Sequence, residues 1–125
     1  MKTRIYEVND LDKSDVQKDI KQTLLSGKNV IFPTETVYGI GAYALSEQGI
    51  KGIYQVKGRP SDNPLIMHIS KKDDVYIYTT DHQPYVKSLI EAFWPGPLTL
   101  VLKKKDDVPK IITGGLDTVG IRMPS

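Results

Sequence analysis

At 125 residues the chain is one domain's worth of material, and with 39% hydrophobic and 26% charged residues it has the balance of a globular protein rather than a disordered one. Cysteine is absent, which excludes disulfides and thiolate metal sites and fits a cytoplasmic location; no apolar run approaches the roughly 18 residues of a membrane span, and the N-terminus lacks a signal peptide's apolar core. Seventeen basic against fifteen acidic residues give +2, too little to imply nucleic-acid binding by itself, so any anion site must be local.

In chain order, "TRIYEV" alternates polar and apolar residues and predicts a first strand. "SDVQKDIKQTLLSG" reads as a helix, with Ser14 as cap, Gln17 in the capping-box position, Val16, Ile20 and Leu24 as its apolar stripe, and Gly27 placed to end it. "NVIFP" and "GIGAYAL" are short strands. "SEQGIKGIYQVKG" predicts a helix capped by Ser46 and buried through Ile50, Ile53 and Tyr54. "PLIMHI" is a dense strand, and "DDVYIYTT" fits strand or loop. "QPYVKSLIEAFWPG" carries Val86, Leu89, Ile90 and Phe93 at helical spacing until Pro95 stops it. "PLTLVLKK" and "TVGIRMP" are later strands, with a short helical turn at "VPKIITG" between them. No repeat or linker is visible, so residues 1–125 read as a single domain. Its expected class is a layered, mixed α/β sheet with strands buried on both faces.

Four stretches could carry chemistry. In "FPTETVYGIG" an apolar strand ends at Pro33 and exposes Thr34, Glu35 and Thr36 before Tyr38 and two glycines. Strand ends commonly carry ligand groups and glycine lets a ligand approach the backbone, but a polar turn fitted for its own geometry is equally consistent. In "VKGRPSDNPLIMH" Lys57 and Arg59 follow the second helix, where a cation can simply offset the helix dipole. That role needs no fixed geometry, whereas Pro60 and Pro64 stiffen the turn and Ser61, Asp62 and Asn63 favour it. A guanidinium pinned this way suits bidentate recognition of phosphate.

His68 lies in an apolar strand, where a satisfied core histidine is the commoner case. Alternation places it with Ile66 and Pro64, opposite Met67 and Ile69, so it can act if that face fronts a cleft. Arg122 interrupts the pattern of the final strand and should face solvent or a cleft. His82 sits in a polar turn with no assigned role, and two isolated histidines make no metal site. Trp94 reads as core packing, and the lysines at 103–105 as a solvated strand end.

Taken together, "FPTETVYGIG", "KGRPSDNPLIMHI", "WPGPLTLVL" and "DTVGIRMPS", in this order and spacing, resemble the YrdC family of threonylcarbamoyl-AMP synthases. The resemblance runs from about Asn29 to Ser125. It implies a twisted mixed sheet flanked by helices around a positively charged cleft, and a nucleotidyltransferase joining L-threonine, bicarbonate and ATP with release of pyrophosphate. The product serves threonylcarbamoyladenosine modification of tRNA through downstream threonylcarbamoyl-transfer proteins. By the family pattern Thr36, His68 and Arg122 contact threonine; Arg59, Asn63 and Thr118 contact ATP, and Lys57 belongs to the same K-x-R signature. Thr34 and Tyr38 share the first motif without an assigned role. A magnesium ion on the phosphates is implied, though no protein ligand for it is apparent. None of these residues is an obvious covalent nucleophile, so positioning and electrostatics are expected to carry the catalysis.

Family members continue beyond the arginine strand into a "P-S-A-N"-like segment that completes the nucleotide pocket, whereas this sequence ends at "RMPS". The fold is therefore expected to be C-terminally incomplete, with an exposed sheet edge that invites pairing into a homodimer. The alternative activity is a double-stranded RNA- or tRNA-binding module of the same fold, against which the near-neutral composition argues. A carbamoylation domain of hydrogenase maturation is a third reading, weakened by the lack of acylphosphatase-like and zinc-finger-like segments.

Overall fold

The computed structural model describes residues 3–34, 38–58, 64–80 and 82–125. It has the expected mixed α/β class, and the chain divides into two compact units, Met1–Ile53 and Tyr54–Ser125.

In the first unit the expected opening strand is not formed. Residues 3–7 have no regular structure and lead into a 3-10 turn, Val8–Asp12. The Asp10 carboxylate accepts the Glu7 backbone N–H at 3.1 Å and pairs with Lys13 at 2.9 Å. A local acceptor thus takes a donor that a strand would have needed for pairing. Arg4 meanwhile ties the segment to the following helix through Asp19, at 2.8 Å.

Helix α1 spans Ser14–Leu25, and its N-cap is Lys13, not Ser14. The turn feeds directly into the helix: the Gln17 N–H bonds the Lys13 carbonyl, and the Gln17 side chain donates to the Leu11 carbonyl at 2.7 Å, so no capping box forms. Of its apolar stripe Val16 is buried and Ile20 and Leu24 are half-buried. Gly27 ends the helix as expected. At φ 85° its N–H reaches the Leu24 carbonyl while that of Lys28 reaches Thr23, the bond pattern of a Schellman cap. Strands β1 (Val30–Pro33) and β2 (Tyr38–Gly41) form an antiparallel pair with Pro33 opposite Tyr38.

Helix α2, Glu47–Lys57, carries the chain into the second unit. Ser46 caps it, its Oγ accepting the Gly49 N–H at 3.1 Å, and Ile50, Ile53 and Tyr54 are all buried.

The second unit is built on strands β3 (Ile66–His68), β4 (Thr79–Thr80), β5 (Thr99–Lys104) and β6 (Thr118–Arg122), in the order β3-β6-β5-β4. β3 runs parallel to β6, while β6–β5 and β5–β4 are antiparallel. Alternation sends Met67, Leu100, Val119 and Ile121 to a buried face. The opposite face is open, with Ile66 53% and Val101 68% exposed, which corrects the expectation of burial on both sides. The physical reason is the composition of that face: the remaining register positions carry Thr99, Lys103, Thr118 and Arg122, which would be costly to bury.

"DDVYIYTT", fitted by strand or loop, becomes a 3-10 turn, Lys72–Asp74, the single-turn helix α3 (Val75–Tyr78) and β4. The buried Val75 holds α3 down, and buried Thr79 ties its end to the next loop. The Thr79 Oγ1 lies 2.6 Å from both the Val75 carbonyl and His82 Nε2, with the His82 ring edge-on to Tyr76. Helix α4, Pro84–Phe93, starts with proline in its first turn and buries Val86 and Ile90, whereas Phe93 is 56% exposed.

Ile121 has no exposed surface and sits in the central pair of strands. Ile121→Ala should cost about 2–5 kcal/mol of stability in chemical denaturation; a loss below about 1 kcal/mol would contradict its place at the centre of the core.

Candidate functional site

The open sheet face is built from the registers of three strands. His68 stands opposite Arg122 across the parallel β3–β6 pair, and Thr99 stands opposite Arg122 from β5. Next come Ile66, Gly120 and Val101, then Thr118 beside Lys103. Residues facing each other in register share a face, so this surface carries two cations and a histidine. No carboxylate stands at any of these positions. Such a surface favours an anionic ligand.

Arg122 is held in place by a turn that sequence reasoning assigned to packing alone. Trp94 is buried as expected, its indole N–H donating to the Leu98 carbonyl at 2.8 Å. The same turn brings buried Gly96 to the end of β6, where its N–H donates to the Met123 carbonyl at 2.8 Å and its carbonyl accepts Arg122 Nε at 3.3 Å. A side chain at position 96 would put its Cβ 2.6 Å from the Phe93 carbonyl, so only glycine fits. With Nε satisfied by the backbone, the terminal nitrogens of the guanidinium form the fork that a carboxylate or phosphate can meet. Among the described residues Arg122 has no carboxylate partner. The signal for this contact was the "WPGP" motif, but a backbone carbonyl acceptor leaves no residue-type trace.

His68 is exposed, while Met67 and Ile69 on either side are buried, as alternation predicted. The imidazole is held below its ordinary value of 6.5, first by partial burial of the ring and then by the adjacent Arg122 charge. It is therefore neutral near pH 7 and can accept a hydrogen bond through one ring nitrogen.

Of the other sequence-derived candidates, Thr118 is exposed on the same face, four residues from Arg122 and so roughly 13 Å away along the strand. Lys57 is exposed in the last turn of α2, where it also complements the helix dipole. Arg59, Asn63 and Thr36 lie outside the described residues. In the first unit, Thr34 follows β1 and Tyr38 opens β2 with 75% of its surface exposed. The glycine at 39 has an internal reason: a Cβ there would come within 2.9 Å of the Phe32 ring. Packing, rather than ligand approach, accounts for that glycine. Among the described residues no group of three or more His, Cys, Asp or Glu side chains is arranged to hold a metal ion.

Comparison with known proteins places these features. Residues 22–125 match the Sua5/YciO/YrdC family, described under telomere recombination. The chain is 54% identical over 99 residues to a threonylcarbamoyl-AMP synthase of Pyrococcus abyssi, covering 79% of this chain and 29% of that protein. It is 45% identical over 129 residues to the Bacillus subtilis threonylcarbamoyl-AMP synthase, covering 99% of this chain and 37% of the relative. A crystal structure of P. abyssi Sua5 complexed with L-threonine superposes with a TM-score of 0.81 at 50% identity, over 86% of this chain and 32% of that one. The chain thus spans about a third of the length of these relatives. With a family match running from residue 22 to residue 125 and a relative more than half identical across most of that span, the chain belongs to the Sua5/YciO/YrdC family.

Proposed function

We propose that this chain acts in the synthesis of threonylcarbamoyl-AMP from L-threonine, bicarbonate and ATP, supplying the threonylcarbamoyladenosine modification of tRNA. The observation that carries this reading is the His68–Arg122 pair, on a sheet face whose register positions hold no carboxylate, in a chain 54% identical to a named synthase. The threonine bound to P. abyssi Sua5 supports the amino-acid substrate. The family match crosses both compact units, which supports reading residues 1–125 as part of one YrdC-like domain.

In this reading the Arg122 guanidinium takes the threonine carboxylate, and neutral His68 and Thr36 receive its amine and hydroxyl. The ammonium form of threonine and bicarbonate give the carbamate, one water and one proton. A carbamate oxygen then attacks the α-phosphorus of ATP, the bridging oxygen leaves with the bond's electron pair, and pyrophosphate departs. Lys57, Arg59, Asn63 and Thr118 hold the nucleotide, the two cations offsetting charge that grows on the leaving pyrophosphate. The separation of Thr118 from Arg122 along β6 leaves room for two substrates side by side. A magnesium ion, when bound, would offset part of the triphosphate charge beside Lys57 and Arg59. The reaction is proposed to run in the cytoplasm, with tRNA-modifying proteins taking the product; no helix among the described residues is long and apolar enough to cross a membrane.

The test is pyrophosphate release from ATP by the 125-residue chain. Release should require both L-threonine and bicarbonate, and Arg122→Ala should lower kcat/KM for threonine by about 10- to 150-fold, the equivalent of a charged hydrogen bond of about 1.5–3 kcal/mol. Release indifferent to threonine would overturn the proposal.

His68 offers a second measurement. Its folded value lies below 6.5, so between that value and 6.5 the unfolded state binds more protons. Stability from this group is present above pH 6.5 and is lost as pH falls through that window. An NMR titration of the His68 ring should give a midpoint below 6.5. Arg122→Gln should raise it only in part, because burial, the larger cause, remains. A midpoint at or above 6.5 in the unaltered chain would refute the assigned environment.

A further inference from the structure

Gly120 occupies the middle of β6, between Ile66 and Val101 in register, with Thr118 and Arg122 two residues away on the same face. Glycine in the interior of a strand weakens it and needs a reason. Backbone geometry supplies none: positive φ occurs at Gly27, Gly58, Gly114 and Gly115 but not here. Packing supplies none either. A Cβ at 120 would lie 3.4 Å from Thr99 Cγ2 and 3.8 Å from Ile66 Cγ1, ordinary contacts in contrast to the clash at Gly96. What the missing side chain preserves is the space above it, on the open face. That space is flanked by two exposed aliphatic side chains, Ile66 and Val101, and bounded at one end by a guanidinium.

We propose that Gly120 is the floor of the amino-acid subsite and a specificity-determining residue: the aliphatic part of a small amino acid, its carboxylate on Arg122, lies on the bare backbone between Ile66 and Val101. This deepens the synthase reading and rests on it. Apolar walls beside a cation suit a ligand that is charged at one end and carries a methyl group at the other. Alanine at 120 would raise the floor where that methyl group lies while leaving the fold intact. The loss is then selective, falling on a β-methyl-bearing ligand and sparing one without it.

The experiment titrates the full 125-residue chain with L-threonine, L-serine and ATP, followed by amide NMR shifts and by thermal unfolding. In the unaltered chain threonine should bind at least several-fold tighter than serine, and should shift the Gly120 amide. Gly120→Ala should weaken threonine about 10-fold or more with serine and ATP nearly unchanged, and should melt at the same or a higher temperature. Val101→Ala and Ile66→Ala, which truncate exposed walls, should also narrow the preference for threonine over serine. Unchanged threonine affinity in Gly120→Ala, equal losses for both amino acids, a loss confined to ATP, or a lower melting temperature each overturns the floor while leaving the synthase reading standing. Failure of the unaltered chain to respond to threonine overturns that reading and the floor together.

Discussion

Everything proposed for this chain depends on the parallel pairing of β3 with β6 in one register. The pairing sets His68 beside Arg122, and the Ile69 N–H continues the ladder by bonding the Arg122 carbonyl at 3.0 Å. A strand's side chains alternate between faces, so a slip of one residue would bring Met67 or Ile69 to the open surface and bury the imidazole. The register is pinned from the other side. Met67 and Ile121 face each other with 4% and 0% exposure, and any slip would expose one of them. Hydrophobic burial on one face of the sheet thus fixes the spacing of charges on the other.

The same strands therefore perform two tasks that would conflict if they shared a face. β6 spends Val119 and Ile121 on the core and keeps Thr118, Gly120 and Arg122 for the open surface. Cohesion comes from residues that touch no ligand in the proposed reaction. Arg122 is aimed by a turn whose own stability comes from a buried tryptophan, and its orientation is set before any anion arrives. Preorganisation of this kind lowers the cost of ordering a long, flexible side chain on binding.

Much of this was legible in the sequence, and the reasons differ from element to element. The stripe of Ile50, Ile53 and Tyr54, the Ser46 cap and the glycine stop at 27 are local signals that the structure keeps. Alternation through "PLIMHI" correctly put His68 opposite Met67 and Ile69, although the commoner expectation for such a histidine was burial. The opening segment failed because alternation alone does not make a strand. Arg4 pairs with Asp19 on α1 and Asp10 accepts the Glu7 N–H, and among the described residues no strand pairs with the segment's backbone. The adjacency of His68 and Arg122 was not derivable from periodicity, since strand order couples residues far apart in the chain. The family resemblance placed both with threonine; the register supplies the geometry. The grip of Gly96 was invisible because its working atom is one that every residue possesses.

The Thr79–His82 contact has a consequence for the second unit. A hydroxyl has one hydrogen, and the Val75 carbonyl can only accept, so that hydrogen is already committed. The proton between Thr79 and His82 must then come from the imidazole, which fixes Nε2 as the bearing nitrogen. The clasp between α3 and the approach to α4 is thereby a one-way chain, ring to hydroxyl to carbonyl, and the residue at 79 must be able both to accept and to donate.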